Sequence, residues 1–229
     1  QAVSRGLGDV YKRQGGIGPE LIAKLLADPE VCEKADILLI GDRHLFEMGQ
    51  AQAGAEIEMV TCDANKGDWT DISGLAIHER ETIAADDVRL AEVTYANGHS
   101  ALSNLNCALE MARDGIIDAI TFGPFNKAAL IEAGLGHEDE LHHMAEFLGV
   151  EGYISELNTL NGIWTSRVSS HIALKDVASY ITEHRITEAV HLIDRTLRRS
   201  GLNRPRLSVA ALNPHAGDLS LIHISEPTR

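Results

Sequence analysis

Short apolar runs alternate with helical patterns along the chain. Residues 35–41 and 119–123 are almost continuously apolar, which is typical of short strands buried on both faces. A pattern of helical period follows each run, over residues 44–53 and 128–133, and a longer helix is predicted over 101–113. The first part of the chain therefore predicts strands that alternate with helices.

The second part of the chain continues this alternation. Residues 163–168 and 206–212 predict two strands, and apolar residues recur at helical spacing between them, over 186–197. An amphipathic helix is predicted over 138–148, whereas residues 56–83 show only short alternating pieces. Because βαβ crossovers are right-handed, these strands predict an α/β fold with a mostly parallel sheet and helices on both faces.

The two ends of the chain lack this pattern. Residues 1–14 show no sustained periodicity, and residues 219–229 interrupt a glycine-rich loop abruptly. Both resemble translated sequencing-adapter or assembly-junction sequence, which recurs at the ends of fragmentary proteins. We expect both segments to be non-native. We expect residues 15–218 to form the α/β region of a longer enzyme whose C-terminal part is missing.

Composition narrows the classes of function. With 229 residues and 44% hydrophobic content, the chain is long enough to bury a core. Its formal net charge of -14 argues against a nucleic-acid-binding surface, since phosphate backbones are bound by clustered lysine and arginine. No apolar run approaches the roughly 20 residues needed to cross a bilayer. Three widely spaced cysteines without a CxxC pattern argue against a disulfide scaffold, so we expect a cytoplasmic protein.

Two histidines follow predicted strands. His171 comes after residues 163–168 and His215 after 206–212, and ligands gather at the carboxyl ends of strands in open α/β sheets. Neutral imidazole is the commonest protein ligand of divalent ions, so the pair predicts a metal site. A catalytic metal usually takes three protein ligands, so a third must come from elsewhere. Taken singly, each histidine is also compatible with a hydrogen-bonded structural role.

Two further segments offer groups that contact anions or metal ligands. Gly16 and Gly18 precede a predicted helix, whose free backbone N–H groups form a generic anion site, although the GxGxxG dinucleotide fingerprint is absent. Lys127 begins another predicted helix, which suits contact with phosphate or carboxylate; the alternative is an exposed lysine. Asp176, five residues after His171, either orients a metal ligand or caps the next helix.

Four segments taken in order carry a family resemblance. They are Gly16-Ile-Gly-Pro-Glu-Leu21, Gly123-Pro-Phe-Asn-Lys127, Ser170-His-Ile-Ala-Leu-Lys-Asp176 and Leu212-Asn-Pro-His-Ala-Gly217. Together they resemble the 4-hydroxythreonine-4-phosphate dehydrogenase family. The resemblance implies a metal-dependent oxidation of a phosphorylated hydroxy acid by NAD or NADP, followed by decarboxylation, as in pyridoxal phosphate biosynthesis. It also implies two α/β/α lobes with a cleft, of the isocitrate and isopropylmalate dehydrogenase type, in a homodimer with its active site at the subunit interface.

The resemblance also implies roles for particular residues. His171 and His215 match two of the three metal-binding histidines of the family, and the third belongs to a downstream Tyr-His-Asp-Gln-Gly segment that is absent here. The ion implied is Zn, Co, Mg, Mn, Ni or Fe. Lys127 and Asp176 lie in two of the matching segments, and we expect catalytic roles for both.

The substrate segment departs from the family pattern. The family has a Gly-His-Thr-Glu segment whose His and Thr contact substrate, where this chain reads Gly136-His-Glu-Asp-Glu140. The expected substrate contacts are therefore His137, Asp139, Glu140 and Leu141. The alternative is that residues 138–140 are only the acidic first turn of a helix. Of the adjacent His142 and His143, at most one can enter the site, because they point about 100° apart on a helix.

The sequence is also compatible with other functions. The altered segment also fits a dehydrogenase of the same family that acts on a phosphorylated sugar acid or an aromatic cis-dihydrodiol carboxylate. A metal-dependent lyase or hydrolase could use the same two histidines without a nicotinamide cofactor. A non-catalytic α/β dimerisation module is the third alternative.

Overall fold

The computed structural model describes residues 2–4, 17–66, 69–72, 74–90, 92–137, 139–170 and 172–211. The chain divides into two compact units, residues 1–151 and residues 152–229. The first unit contains, in chain order, β1 (Ala2–Ser4), α1 (Gly18–Leu26), α2 (Pro29–Lys34), β2 (Leu38–Gly41), α3 (Arg43–Ala53), β3 (Met59–Cys62), β4 (Leu75–Glu79), α4 (Tyr95–Arg113), α5 (Lys127–Glu132) and α6 (Glu140–Phe147).

The first unit is built on a parallel sheet with the strand order β1-β2-β4-β3. Leu38 of β2 lies beside Ala76 of β4, and Met59 of β3 lies beside Leu75 of β4. All four residues of β2 are buried, as expected for a strand covered on both faces. The prediction of a parallel sheet is confirmed, as is the prediction of a strand within residues 35–41 that is followed by a helix, here β2 and α3.

Helices cover both faces of this sheet. Successive residues of a strand point to opposite faces, so Leu38 and Ile40 pack with Ala108 and Met111 of α4. Leu39 packs on the other face, in a cluster that includes residues of both α1 and α3, Ile22, Leu26 and Phe46. The predicted arrangement of helices on both faces is therefore confirmed for the first unit.

Two helix contacts in the first unit are too close for any side chain. A Cβ atom on Gly49 of α3 would lie 2.4 Å from the Pro19 carbonyl oxygen of α1. A Cβ atom on Gly98 of α4 would lie 1.9 Å from the Ala129 carbonyl oxygen of α5. The second contact sets the position of α5 against α4, and α5 begins with Lys127, a predicted site residue.

Two expectations for the first unit differ from the structure. β3 and β4 form within residues 56–83, where the sequence indicated only short pieces, because each strand is at most five residues long. Residues 119–123 form no strand; Ile120 and Phe122 face buried clusters beside α4, so their apolar character reflects helix packing. β1 lies within residues 1–14 and pairs with β2; the non-native origin of residues 1–14 stays a prediction.

Asp42 connects the end of β2 to the segment after β4. It occupies the N-cap position of α3 as predicted, but its carboxylate makes no capping hydrogen bond. Its Oδ1 instead accepts from the backbone N–H of Thr82 at 2.7 Å and of Ile83 at 3.2 Å. A carboxylate that is only 2% exposed is stabilised by such donors, so Asp42 fixes the chain at the carboxyl edge of the sheet.

Among its described residues, the second unit contains a hairpin and two α-helices: β5 (Asn158–Leu160), β6 (Ile163–Thr165), α7 (Val177–Tyr180) and α8 (Glu183–Arg199). The helix predicted over 186–197 is confirmed within α8. The strand predicted over 163–168 is shorter and antiparallel to β5, because Asn161 and Gly162 have positive φ angles of 47° and 79° and form a hairpin turn. The described part of the predicted strand 206–212, residues 206–211, forms no strand.

No helix in the described ranges is long and apolar enough to cross a lipid bilayer.

Candidate active site

Two of the segments singled out by the sequence lie in contact in the first unit. A Cβ atom on Gly123 would lie 3.3 Å from the Cα atom of Gly18, so the start of α1 approaches the loop before α5. Glycine at both positions permits this approach of one backbone to another. The Gly16–Leu21 and Gly123–Lys127 segments therefore meet at one place, although Gly16 itself lies outside the described residues.

The loop before α5 places Lys127 at the surface. Phe125 is buried and stacks on Phe122 with ring centroids 4.6 Å apart, and Asn126 caps α5 by accepting from the backbone N–H of Ala129 at 2.9 Å. Lys127 is the first residue of α5, and half of its side chain is exposed. Its ammonium is therefore accessible to a ligand.

Asp139 is the N-cap of α6. Its Oδ1 accepts from the backbone N–H of His142 at 2.9 Å and lies 2.6 Å from Nδ1 of the same residue. Burial raises the pKa of Asp139, but the hydrogen bonds from His142 and the nearby Lys127 ammonium outweigh it, so the pKa is lower than usual. Asp139 therefore caps α6 and Glu140 lies in its first turn, as the alternative of an acidic helix start predicts.

Glu140 brings the second predicted segment to Lys127. Its Oε2 lies 3.9 Å from Lys127 Nζ, within the range of an ion pair but beyond a hydrogen bond. This oxygen is buried and has no hydrogen-bond partner among the described residues. The structure therefore brings together Lys127, Asp139 and Glu140, three of the predicted site residues; Leu141 follows on α6 and is partly buried.

His137 and His143 form a second group beside α6. The His137 ring pairs with the Glu146 carboxylate, and His143 Nε2 lies 2.7 Å from Asn106 Oδ1 of α4. Burial lowers the pKa of His143, and His137, whose ring centroid is 6.0 Å away, lowers it further, against a smaller opposite effect of Glu146. His142 turns toward Asp139 instead, as expected for adjacent helical residues.

The remaining predicted site residues belong to the second unit. Asp176 lies in the second unit, is exposed, and precedes α7 without a side-chain capping hydrogen bond. His171 and His215 both lie outside the described residues. Within the described ranges, no group of three His, Cys, Asp or Glu side chains is arranged to hold a metal ion.

Similarity to known proteins decides the family. Residues 33–227 match the family model described as "Pyridoxal phosphate biosynthetic protein PdxA". The chain belongs to the PdxA family. It is 48% identical over 204 residues to a Pseudomonas aeruginosa protein named "Putative 4-hydroxythreonine-4-phosphate dehydrogenase 2". The matched region covers 89% of this chain and 60% of that relative.

Other PdxA relatives carry related names. The chain is 29% identical over 208 residues to an Oceanobacillus iheyensis protein named "Putative D-threonate 4-phosphate dehydrogenase", covering 90% of this chain and 62% of that protein. The crystal structure of a 4-hydroxythreonine-4-phosphate dehydrogenase from Klebsiella pneumoniae matches with a TM-score of 0.78 and 25% identity, over 95% of this chain and 63% of that one. The chain thus spans about 60% of the length of these curated relatives.

Proposed function

We propose that this chain belongs to a metal-dependent dehydrogenase that oxidises 4-phosphooxy-threonine, or a related phosphorylated hydroxy acid, with NAD or NADP, and then decarboxylates the product. One observation carries the proposal: in a member of the PdxA family, two separated segments meet so that Lys127, Asp139 and Glu140 form one polar corner. Convergent charged groups with a perturbed pKa are typical of a substrate site.

Each predicted site residue has a role in this proposal. Lys127 and the start of α6, from Asp139 to Leu141, border the substrate, and His137 lies beside them through its contact with α6. His171 and His215 hold the divalent ion, and Asp176 orients one of these ligands from the same segment of the chain. We also propose that the protein is a homodimer with a cleft between two α/β/α lobes, as the family resemblance implies.

The donor chemistry of the two histidines fits a catalytic ion. Imidazole suits Zn, Co, Ni or Fe, and availability decides among these and Mg or Mn. When bound, such an ion acidifies the substrate hydroxyl and polarises the carbonyl oxygen of the product, and the nicotinamide cofactor accepts the hydride. The residues of the chain supply orientation: Lys127 donates to the substrate, and the α6 segment closes the site around it.

A related substrate is the second candidate. The acidic Asp139 and Glu140 stand where the family has its Gly-His-Thr-Glu segment, and a relative is named for D-threonate 4-phosphate. A phosphorylated sugar acid is therefore a substrate to be tested beside 4-phosphooxy-threonine. An aromatic cis-dihydrodiol carboxylate completes the set, because it also presents a hydroxyl near a carboxylate.

The experiment uses the protein expressed from its complete reading frame. Reduction of NAD and of NADP is followed with each candidate acid, before and after treatment with a chelator and after re-addition of single metal ions. We expect reduction with at least one phosphorylated hydroxy acid and its loss after chelation. Metal-dependent consumption of the acid without cofactor reduction would instead establish a lyase or hydrolase, and no metal-dependent turnover of any candidate would contradict the proposal.

A further inference from the structure

The polar corner around Lys127 holds more negative than positive charge. Lys127 Nζ lies 3.9 Å from Glu140 Oε2, and its charge also contributes to the lowered pKa of Asp139. In the part of the chain that the structure describes, no arginine and no second lysine pairs with either carboxylate. One ammonium therefore faces two acidic side chains, of which Asp139 also bonds to the His142 ring at 2.6 Å, so the local field does not favour an additional anion.

The ammonium nevertheless keeps its capacity to donate hydrogen bonds. The 3.9 Å separation from Glu140 Oε2 exceeds hydrogen-bond length, and half of the Lys127 side chain is exposed. An ammonium has three N–H donors, so Lys127 can bind a neutral oxygen of a ligand without giving up its ion pair. An anion would have to displace Glu140 or lie beside it, at the cost of repulsion between like charges.

Glu140 restricts where Lys127 can go. Glu140 Oε2 is buried and has no hydrogen-bond partner among the residues described, so the Lys127 ammonium is the positive charge that compensates it. A buried carboxylate that loses its compensating charge is strongly destabilised. Movement of Lys127 away from Glu140 toward a distant anion is therefore unfavourable. A ligand oxygen that approaches the ammonium where it lies can still receive a hydrogen bond from it.

We propose that Lys127 donates a hydrogen bond to an uncharged hydroxyl or keto oxygen of the substrate, that Glu140 is the positioning residue for this ammonium, and that the phosphate and carboxylate groups bind elsewhere. This inference rests on the proposed dehydrogenase function for the class of substrate. It assigns the Lys127 end of the site to the uncharged part of a phosphorylated hydroxy acid.

Steady-state kinetics of the complete protein test the positioning role through a double-mutant cycle. Glu140→Gln and Lys127→Met should each lower kcat/KM by about ten-fold, equivalent to about 1.4 kcal/mol, and the double variant should lose no more than Lys127→Met alone. Lys127→Gln, which keeps an N–H donor, should retain more activity than Lys127→Met. Glu132→Gln, which removes an exposed carboxylate at the end of α5, is the matched control and should leave kcat/KM unchanged.

The direction in which Glu140→Gln changes KM distinguishes binding of an anionic group by Lys127 from binding of an uncharged oxygen. If Lys127 binds phosphate or carboxylate, removal of the competing negative charge tightens substrate, and KM falls. A lower KM, an unchanged kcat/KM, or additive losses in the double variant would overturn the inference. If the wild-type protein reduces no cofactor with any candidate acid, the proposed function fails, and a second measurement that does not need turnover decides the inference.

That measurement follows the Lys127 ammonium by NMR during titration with inorganic phosphate. The signal is assigned by its loss in Lys127→Met. We expect no saturable shift in the wild type and a saturable shift in Asp139→Asn/Glu140→Gln, where the corner is left with net positive charge; asparagine keeps the helix cap. A saturable shift of the wild-type signal, or none in the double variant, would show that the charge balance does not exclude anions.

Discussion

His143 and Asn106 are joined by a hydrogen bond of 2.7 Å between Nε2 and Oδ1, which connects α6 to the middle of α4. The two residues are 37 positions apart in the sequence. Because α6 also carries Asp139 at its start and Glu140 in its first turn, this contact holds the polar corner against α4, the longest helix in the described part of the first unit.

Asn106→Ala should loosen α6 without unfolding the first unit. The substitution leaves the partly buried His143 ring without its partner, which costs about 1 to 3 kcal/mol. Hydrogen exchange of the α6 amides should accelerate while the β2 amides stay protected. Glu110→Gln, on the exposed side of α4, is the control; equal acceleration in both variants would contradict this role for the contact.

The protonation of His143 should be unfavourable in the folded protein. Burial, assisted by His137, lowers the pKa of His143 below its ordinary value, so the unfolded chain binds this proton more readily. Its contribution to stability is present above the unfolded pKa and is lost as the pH falls through the folded pKa. NMR titration should give a low midpoint, which Glu146→Gln lowers further and His137→Gln raises; a midpoint at the ordinary value contradicts the burial argument.

Asp139 should stabilise α6 in two separable ways. Asp139→Ala removes the cap on His142 and costs about 1 kcal/mol, whereas Asp139→Asn keeps the cap and loses only the charge. Because the folded pKa of Asp139 is lowered, its charge contributes stability above the unfolded pKa that is lost as pH falls through the folded pKa. Denaturation of the three proteins as a function of pH should show this loss in the wild type and its absence in Asp139→Asn.

The elements that the sequence predicted correctly are those decided by local pattern. β2 is a continuous buried run, and α8 has apolar residues at helical spacing, so burial and period could be read directly. β3 is a sheet edge of four partly exposed residues, whose pairing with β4 depends on residues distant in sequence. Of residues 119–123, Ile120 and Phe122 pack in clusters beside α4, and strand pairing cannot be told from helix packing by composition alone.

The same division applies to the candidate site. Lys127, Asp139 and Glu140 were predicted from motif segments and lie near one another in the structure, while their roles stay predictions. Asn106 and Glu146 were missed, because Asn106 lies inside a helix with no local signal and meets His143 only through tertiary packing. A single polar residue within a long helix, such as Asn106, does not reveal its partner in the sequence.

Gly98→Ala should disrupt the contact that positions Lys127. The added methyl group would lie 1.9 Å from the Ala129 carbonyl oxygen, so α5 must move away from α4, at a cost of about 1 to 3 kcal/mol or more. Gly136→Ala is the control, because no atom lies within 4 Å of its added Cβ. Urea denaturation should show a large loss only for Gly98→Ala, and similar losses for both variants would contradict the steric explanation.

His171 and His215 should bind the same metal ion. Loss of one of three ligands should weaken metal binding strongly. Even the residues that only hydrogen-bond to a metal ligand contribute roughly 10 to 100-fold to metal affinity. We therefore expect His171→Ala and His215→Ala in the complete protein each to abolish both metal retention and cofactor reduction. His191→Ala, at an exposed position of α8, should change neither. Metal content is measured after dialysis against a weak chelator, and full retention by either ligand variant would show that the two imidazoles do not share an ion.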